Sequence, residues 1–242
     1  MIELSCISWN IHRGRGEDGR IDPARTADVL IREVLRPGTD LLILQEADEE
    51  QPPHRGLLDL GRIEAQTGLR HLHGADGRWG GESHGFLGTV MLAAPGLEME
   101  RMALVDMPGH CHRGAVVADL RKAGAPVRVI GTHLSLAQWL RAAQTRTLGQ
   151  YLFRCAARPL VLCGDLNEWR PWGGLAFSRA VTGQAFSGPA RATFPVRWPV
   201  LPLDRVLGAG GARVRETRVL DGTGIRIASD HRPLAAVVEL PG

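Results

Sequence analysis

Asp165-Leu166-Asn167 lies in the run Pro159-Leu-Val-Leu-Cys-Gly-Asp-Leu-Asn-Glu-Trp169, where a short apolar strand delivers a carboxylate and a carboxamide to its exposed end. A carboxylate so placed can hold a hard divalent cation or polarise a water. An amide two residues on, projecting to the same side of an extended chain, can donate to a phosphate oxygen. Alone, the triplet reads more simply as a turn whose Asp and Asn bond their own backbone. Other runs repeat the arrangement. Ile7-Ser-Trp-Asn10 ends a β-rich opening segment with an amide, and Leu41-Leu-Ile-Leu-Gln-Glu46 ends an unbroken apolar run with a carboxylate. Val127-Arg-Val-Ile-Gly-Thr-His133 ends with an imidazole, Leu203-Asp204-Arg205 adds another acid, and Ser229-Asp230-His231 directly precedes the apolar run from Pro233 to Leu240. Each residue also has a structural reading: Glu46 could cap a helix, His133 could be a satisfied core imidazole, and Asp204 could pair with Arg205. Jointly they suit phosphate-ester hydrolysis, which needs a positioned water, neutralised non-bridging oxygens and help for the leaving oxygen.

Strands and helices alternate along the chain that must position these groups. Asp22-Pro23 supplies an N-cap and a first-turn proline for a helix to about Leu35, stopped by Pro37-Gly38. Leu57 to Ala65 and Leu136 to Ala157 read as further helices. Strands are expected over Leu69 to Leu72, Gly88 to Ala93, Leu97 to Leu104, Gly114 to Leu120, Val127 to Thr132, Leu160 to Cys163, Val214 to Val219 and Leu234 to Leu240. Connections such as Gly124-Ala125-Pro126 are short enough for antiparallel hairpins, so a purely parallel doubly wound sheet does not fit. Two mixed sheets packed face to face, with helices outside, do fit.

At 242 residues, 44% of them hydrophobic and 23% charged, the chain can bury a substantial core, and we expect one domain over residues 1–242. No internal repeat or low-complexity run interrupts it, and no apolar stretch approaches the roughly 18 to 20 residues that span a bilayer. Strand-like sequence from Ile2 leaves no room for a signal peptide, and a cytoplasmic monomer is expected. Cys6, Cys111, Cys155 and Cys163 show no paired spacing and read as reduced thiols. His110-Cys111-His112 invites a zinc reading but lacks a second ligand pair at zinc-like spacing. The net charge of +3 rests almost wholly on arginine, since Lys122 is the sole lysine. That surplus would attract a phosphorylated substrate without forming a concentrated nucleic-acid stripe.

Trp-Asn, Gln-Glu, Thr-His-Leu, Gly-Asp-x-Asn, Asp-Arg and Ser-Asp-His, arriving in that order over nearly the whole chain, resemble the endonuclease/exonuclease/phosphatase superfamily, whose fold is that of deoxyribonuclease I and exonuclease III. The stretch from Ala192 to Val206 is similar to its small stand-alone bacterial members. The resemblance implies an α/β class fold, specifically a four-layered α/β/β/α sandwich. It implies that Glu46, with Asp230 and Asn10 near it, holds a Mg²⁺ or Mn²⁺, which hard oxygen ligands favour over zinc. It further implies that Asp204 orients His231 as general base or phosphate clamp, with Asp165 the rival activator of water. His133 and Asn167 would contact the scissile phosphate, His133 supplying positive charge if protonated, with Arg113 either a further contact or a rim arginine in an ion pair. Where many relatives carry Gly-Asn before a strand this chain has Gly88-Thr89, a hydroxyl in place of an amide.

The first functional reading is a Mg²⁺-dependent phosphodiesterase acting on nucleic acid, as endonuclease or exonuclease. Alternatives are a phosphomonoesterase or a phospholipid or inositol headgroup hydrolase, and a non-catalytic binding module on the same fold. Trp139, Trp169 and Trp172 follow the motifs and suggest an aromatic rim that could stack a base or meet a lipid headgroup, whereas Trp9 suits the core. The site groups are expected at a solvent-facing sheet edge, so the fold should tolerate their replacement.

Overall fold

The computed structural model of the protein describes residues 1–241. One sheet runs in the order β10-β11-β1-β2-β4-β3, built from β1 (Ile2–Asn10), β2 (Leu41–Gln45), β3 (Arg70–His71), β4 (Val90–Ala93), β10 (Arg213–Val219) and β11 (Leu234–Leu240). The other runs β5-β6-β7-β8-β9, from β5 (Leu97–Met107), β6 (Arg113–Lys122), β7 (Ala125–His133), β8 (Leu160–Asp165) and β9 (Asp204–Ala209). Each sheet contains one parallel pair, β1 with β2 and β7 with β8, among antiparallel neighbours. The mixed sheets expected from the short connections are therefore present.

Alternation along each strand sorts its side chains into three apolar layers. Leu4, Cys6, Leu41, Ile43 and Met91 of the first sheet face Val116, Ala118, Val127, Val129, Val161 and Cys163 of the second. The opposite face of the first sheet, with Ile7, Trp9, Leu42 and Leu44, is covered by α1 (Pro23–Val29), its one-turn π-helical continuation Leu30–Val34, α2 (Leu60–Thr67) and α5 (Thr223–Ala228). The outer face of the second sheet packs Ile130, Leu160 and Leu162 against Leu148 and Leu152 of α3 (Gln138–Phe153), with α4 (Arg179–Thr182) beside α3. These are the four layers of an α/β/β/α sandwich. Among the described residues no helix is long and apolar enough to cross a membrane.

The first helix begins as expected, with the Asp22 carboxylate accepting from Arg25 N and Pro23 in the first turn. The tight hairpin between β6 and β7 turns at Ala123-Gly124, both at positive φ, one residue before the expected position. α3 ends four residues earlier than the apolar pattern indicates, and its buried face includes the polar Arg141, Gln144 and Thr145. β9, α4 and α5 were not anticipated. β9 reads Asp-Arg-Val-Leu-Gly-Ala and pairs antiparallel with β8, so its place in the sheet comes from its partner rather than from propensity.

Gly164, one residue before Asp165, has φ 141°, and a Cβ there would lie 1.9 Å from the Thr132 carbonyl oxygen of the neighbouring strand. β7 and β8 approach this closely because residue 164 has no side chain. Gly164→Ala is expected to destabilise the protein by at least about 3 kcal/mol in urea denaturation, since both the strained φ and the backbone collision must be relieved. A loss under about 1 kcal/mol would show that the two strands separate freely.

Candidate active site

Three of the singled-out residues lie in a row across the second sheet, His133 opposite Asp165 and Asp165 opposite Asp204. Directly paired residues share a face, and the parity of Val129, Val161, Cys163 and Val206 places that face toward the first sheet. In the first sheet Asn10 has the parity of Leu4 and Cys6 and pairs with Gln45, which Glu46 follows. His231 stands three residues before β11, whose start lies beside the end of β1. The inter-sheet apolar layer thus ends in a polar patch at the carboxyl ends of both parallel pairs, where open α/β sheets place ligands.

Asn10 joins the two sheets, its Nδ2 donating to Glu46 Oε1 at 3.2 Å and to Asp165 Oδ2 at 3.1 Å. Asp165 Oδ2 also lies 3.4 Å from His133 Nε2 and 3.7 Å from His231 Nε2, so four side chains meet at one oxygen. Asp204 Oδ2 is 2.8 Å from His231 Nδ1 and accepts from Thr193 Oγ1 at 2.5 Å. That contact assigns the ring proton to Nδ1 and turns Nε2 toward Asp165. Ser229 Oγ donates to the Asn10 carbonyl at 2.7 Å and accepts from His231 N at 3.1 Å, while Trp9 Nε1 donates to the His231 carbonyl. Arg13 NH1 donates to Glu46 Oε2 at 2.7 Å.

Backbone strain concentrates here. His12, Arg13, Glu46 and Asn167 are non-glycine residues with φ between 48° and 55°, a region that costs an L-residue free energy. Glu46 is held in it by Gly88, where a Cβ would sit 3.2 Å from Glu46 Cα, and by a bond from Ala47 N to the Gly88 carbonyl.

The imidazoles differ in charge. Burial pushes His231 down, but Asp204, then Asp165 and Asp230, overcome it and raise its pKa to about 10. Burial also pushes His133 down; attraction to Asp165 opposes this, but Arg113, His231 and Arg13 reinforce it, and the pKa falls to about 3. Of the two states open to it, His133 is thereby held as the neutral ring in the metal-free protein.

Asn10, Glu46, His133, Asp165, Asp204 and His231 come together as a connected cluster. Asp230 stands at its margin, with Oδ1 3.4 Å from His12 Nδ1. Asn167 is not the extended continuation the sequence suggests: at φ 50° its chain turns back, its N bonds Asp165 Oδ1, and Nδ2 donates to the Leu134 carbonyl, leaving one amide N–H and Oδ1 uncommitted. Arg113 begins β6, forms no ion pair among the described residues, and leaves a buried Nε without a partner. Arg205 does not pair with Asp204; its guanidinium holds the carbonyls of Pro202, Glu168, Arg170 and Pro171. The solvent-facing placement is corrected too, since Asp204, Asp165 and His231 are all buried. Sequence reasoning missed Arg13 and Thr193. Thr193 lies within the Ala192 to Val206 stretch, but its type gave no sign of a role toward Asp204, and Arg13 is one arginine among many.

The donor set fits a hard divalent cation. Glu46, Asp165 and Asp230 offer carboxylate oxygens and Asn10 an amide oxygen, and Asp230 Oδ1 is buried with no hydrogen-bond partner. Ligand atoms of Asp165, Asp204 and His231 also lie within 4.8 Å of one another. Asp204 Oδ2 and His231 Nδ1 already bond each other, and both Asp165 oxygens accept amide N–H groups, so that trio is engaged with itself and its neighbours. No comparable cluster of potential ligands exists at His110-Cys111-His112 among the described residues.

Residues 7–231 match the sequence profile of the Endonuclease/Exonuclease/phosphatase family. The chain is 28% identical to the uncharacterised Escherichia coli protein YbhP, over 99% of this chain and 97% of that one. It superimposes on an endonuclease/exonuclease/phosphatase from Bacteroides vulgatus with a TM-score of 0.75, at 14% identity and full coverage of both chains. It also superimposes on Danio rerio TDP2, solved in complex with a single-stranded DNA product, with a TM-score of 0.71 at 15% identity, covering 99% of this chain and all of that one.

The opposite shifts of the two imidazoles set the pH dependence of the metal-free protein. Folded His231 keeps its proton above the unfolded value near 6.5, so its contribution is complete below that pH and is lost as pH rises toward 10. Folded His133 refuses the proton that the unfolded chain takes up, so stability falls as pH drops from about 6.5 toward 3. Urea midpoints in chelator should therefore peak near neutrality. His231→Ala should flatten the alkaline limb and His133→Ala the acid limb, and unchanged limbs in both variants would contradict these charge states.

Proposed function

The chain belongs to the endonuclease/exonuclease/phosphatase family, whose members are generally metal-dependent phosphoesterases, and from that premise we propose that it is a divalent-metal-dependent phosphodiesterase. The observation that carries the reading is the convergence of Glu46, Asn10, Asp165 and the Asp204–His231 pair on one point between the sheets. A cation bound at Glu46 with Asp230 and Asn10 would supply positive charge to the phosphoryl oxygens.

The side chains divide the remaining work. His231, cationic and fixed by Asp204, presents Nε2–H to a non-bridging phosphate oxygen. Asp165 Oδ2, which meets Asn10, His133 and His231, accepts the proton of the attacking water. The neutral His133 ring and the uncommitted N–H of Asn167 orient the phosphoryl group. Arg113, with its unpartnered Nε, adds charge from the second sheet. Arg13 steadies Glu46 and thereby positions the cation.

A diester has two substituents on phosphorus, and the site opens into space that could take one of them. A cavity of about 380 Å³ lined by Arg13, Glu46, Trp79 and Arg113 adjoins it on one side. The loops that follow β7 and β8 and precede β9 border it on the other. Nucleic acid is the substrate class expected first from the sequence, and the TDP2 neighbour was solved with a single-stranded DNA product. A lipid headgroup is the second reading, favoured by exposed aliphatic side chains on those same loops.

The test is hydrolysis of bis-p-nitrophenyl phosphate, p-nitrophenyl phosphate, plasmid, single-stranded oligonucleotides and phospholipids with Mg²⁺ or Mn²⁺. Chelator should abolish turnover and either metal restore it; full activity in chelator refutes the reading. Glu46→Gln should raise the Mg²⁺ concentration for half-maximal rate by at least about tenfold, because shape is kept while charge is lost.

His231→Ala should lower kcat by at least about a hundredfold, and Asp204→Asn should also be severe. The double variant should be far less damaging than the product of the singles, as for groups that act as a unit. Because Asp204 is fully buried, Asp204→Asn should also lower stability by about 1–3 kcal/mol, so kcat must be read on protein shown to be folded. Effects that simply multiply would dissolve the pair.

A further inference from the structure

The lining of the 380 Å³ cavity beside Glu46 falls into two groups. Glu46, Arg13 and Arg113 belong to the site already described. Trp79, His54, His112, Pro52 and Leu87 take no part in its chemistry, and the first three touch one another. The Trp79 ring centroid lies 5.6 Å from that of His54, 5.5 Å from His112 and 5.7 Å from Phe86, at interplanar angles of 80°, 45° and 54°. These are edge and tilted contacts, so none of the three neighbours takes the offset-parallel position on the indole. The half-buried indole therefore offers the cavity a flat surface suited to stacking.

That surface is fixed to the metal-ligand side of the site. Phe86 is buried against β6 where Gly114 has no side chain, and a Cβ there would lie 2.2 Å from Phe86 Cε1. Trp79 N donates to the Gly85 carbonyl at 2.8 Å, and Phe86 and Thr89 exchange both backbone bonds. Inside this turn sits Gly88, the residue that holds Glu46 in its left-handed conformation. One turn thus supports the indole platform and the carboxylate Glu46 together.

The acids of the same wall do not select a cationic guest. Asp48 accepts from His84 N at 2.8 Å and Gly85 N at 3.2 Å. Glu46 and Glu50 both face Arg13, at 2.7 and 3.7 Å. Only the Glu49 side chain has no partner among the described residues, and Arg113, which forms no ion pair there, adds a positive charge to the lining. An ammonium group would meet one free carboxylate and an opposing cation. A neutral planar ring needs only the indole face and the apolar edges of Pro52 and Leu87.

Resting on the phosphodiesterase reading, we propose that this cavity is the subsite for one ester substituent of the substrate and that it selects a planar aromatic ring, stacked on Trp79. Such a ring is carried either directly on the phosphate, as an aryl ester, or through a sugar, as a nucleobase. Trp79 is then a specificity-determining residue, and His54 and His112 hold its ring at the angle that receives the guest.

Calorimetric titration of the full chain with Mg²⁺ tests this, using phosphonates that cannot be cleaved. Benzylphosphonate, the isostere of phenyl phosphate, should bind at least about tenfold more tightly than cyclohexylmethylphosphonate, which is equally apolar but not flat. Trp79→Leu should bring the two to within about threefold of each other, and Trp79→Phe should keep most of the preference. His112→Ala, a change at an exposed position, should weaken it without loss of folding. Thymidine monophosphate binding more tightly than benzylphosphonate assigns the ring to a nucleobase; the reverse order assigns it to an aryl ester. Equal binding of the flat and puckered rings, or an undiminished preference in folded Trp79→Leu and His112→Ala, overturns the proposal. Tightest binding of trimethylammoniopropylphosphonate overturns it in favour of a cationic substituent. Failure of bis-p-nitrophenyl phosphate hydrolysis with either metal refutes the phosphodiesterase reading instead, and ring preference is read separately from it.

Discussion

Glu46 and Asp165 belong to different sheets, yet a single amide, that of Asn10, bonds both. Two carboxylates one amide apart repel by on the order of 3 kcal/mol at an effective dielectric near 20, and Asp204 and Asp230 add to the negative charge. The fold must hold these groups together against that repulsion. The inter-sheet apolar layer does most of this, because the strands that carry the carboxylates cannot separate without opening it. Opposite charge does the rest locally: Arg13 on Glu46, and the imidazolium of His231 between Asp204 and Asp165. A divalent cation would relieve what remains, so metal affinity and the packing of two sheets are parts of one electrostatic problem.

The same crowding explains why the two histidines differ. Both are almost completely buried and both lie within 4 Å of Asp165 Oδ2. His231 has a second carboxylate hydrogen-bonded to its far nitrogen, whereas Arg13 and Arg113 lie around His133. Environment, rather than residue type, makes one ring a cation and the other neutral. Strain follows the site as well. Left-handed backbone at Glu46 and Asn167 aims both residues out of the straight path of their strands, and Gly88 and Gly164 permit the close approaches that this requires.

Around this fixed centre the loops carry exposed apolar side chains, among them Leu136, Trp172 and Trp198. These loops share their supports with the site: Arg205 follows Asp204 directly and Glu168 follows Asn167 directly. The loops are thereby coupled directly to the residues at the site.

The sequence by itself determined the strand ends and what they carry. Alternation in β1, β7 and β8 fixes that Asn10, His133 and Asp165 share a face with Leu4, Val129 and Val161, and the order of the motifs made the α/β/β/α sandwich legible before any coordinates. Side-chain parity and local capping are short-range properties, which is why Asp22-Pro23 could be read directly. Other features were decided by tertiary structure, because each depends on what another element brings. β9 is a strand by virtue of pairing with β8, Thr193 locks Asp204 from eleven residues away, and Arg13 reaches Glu46 through a strained turn. The charge of His133 was left open by the sequence for the same reason. A pKa is set by burial and by neighbours distant in sequence, and neither the depth of the site nor the arginines around it can be counted along the chain.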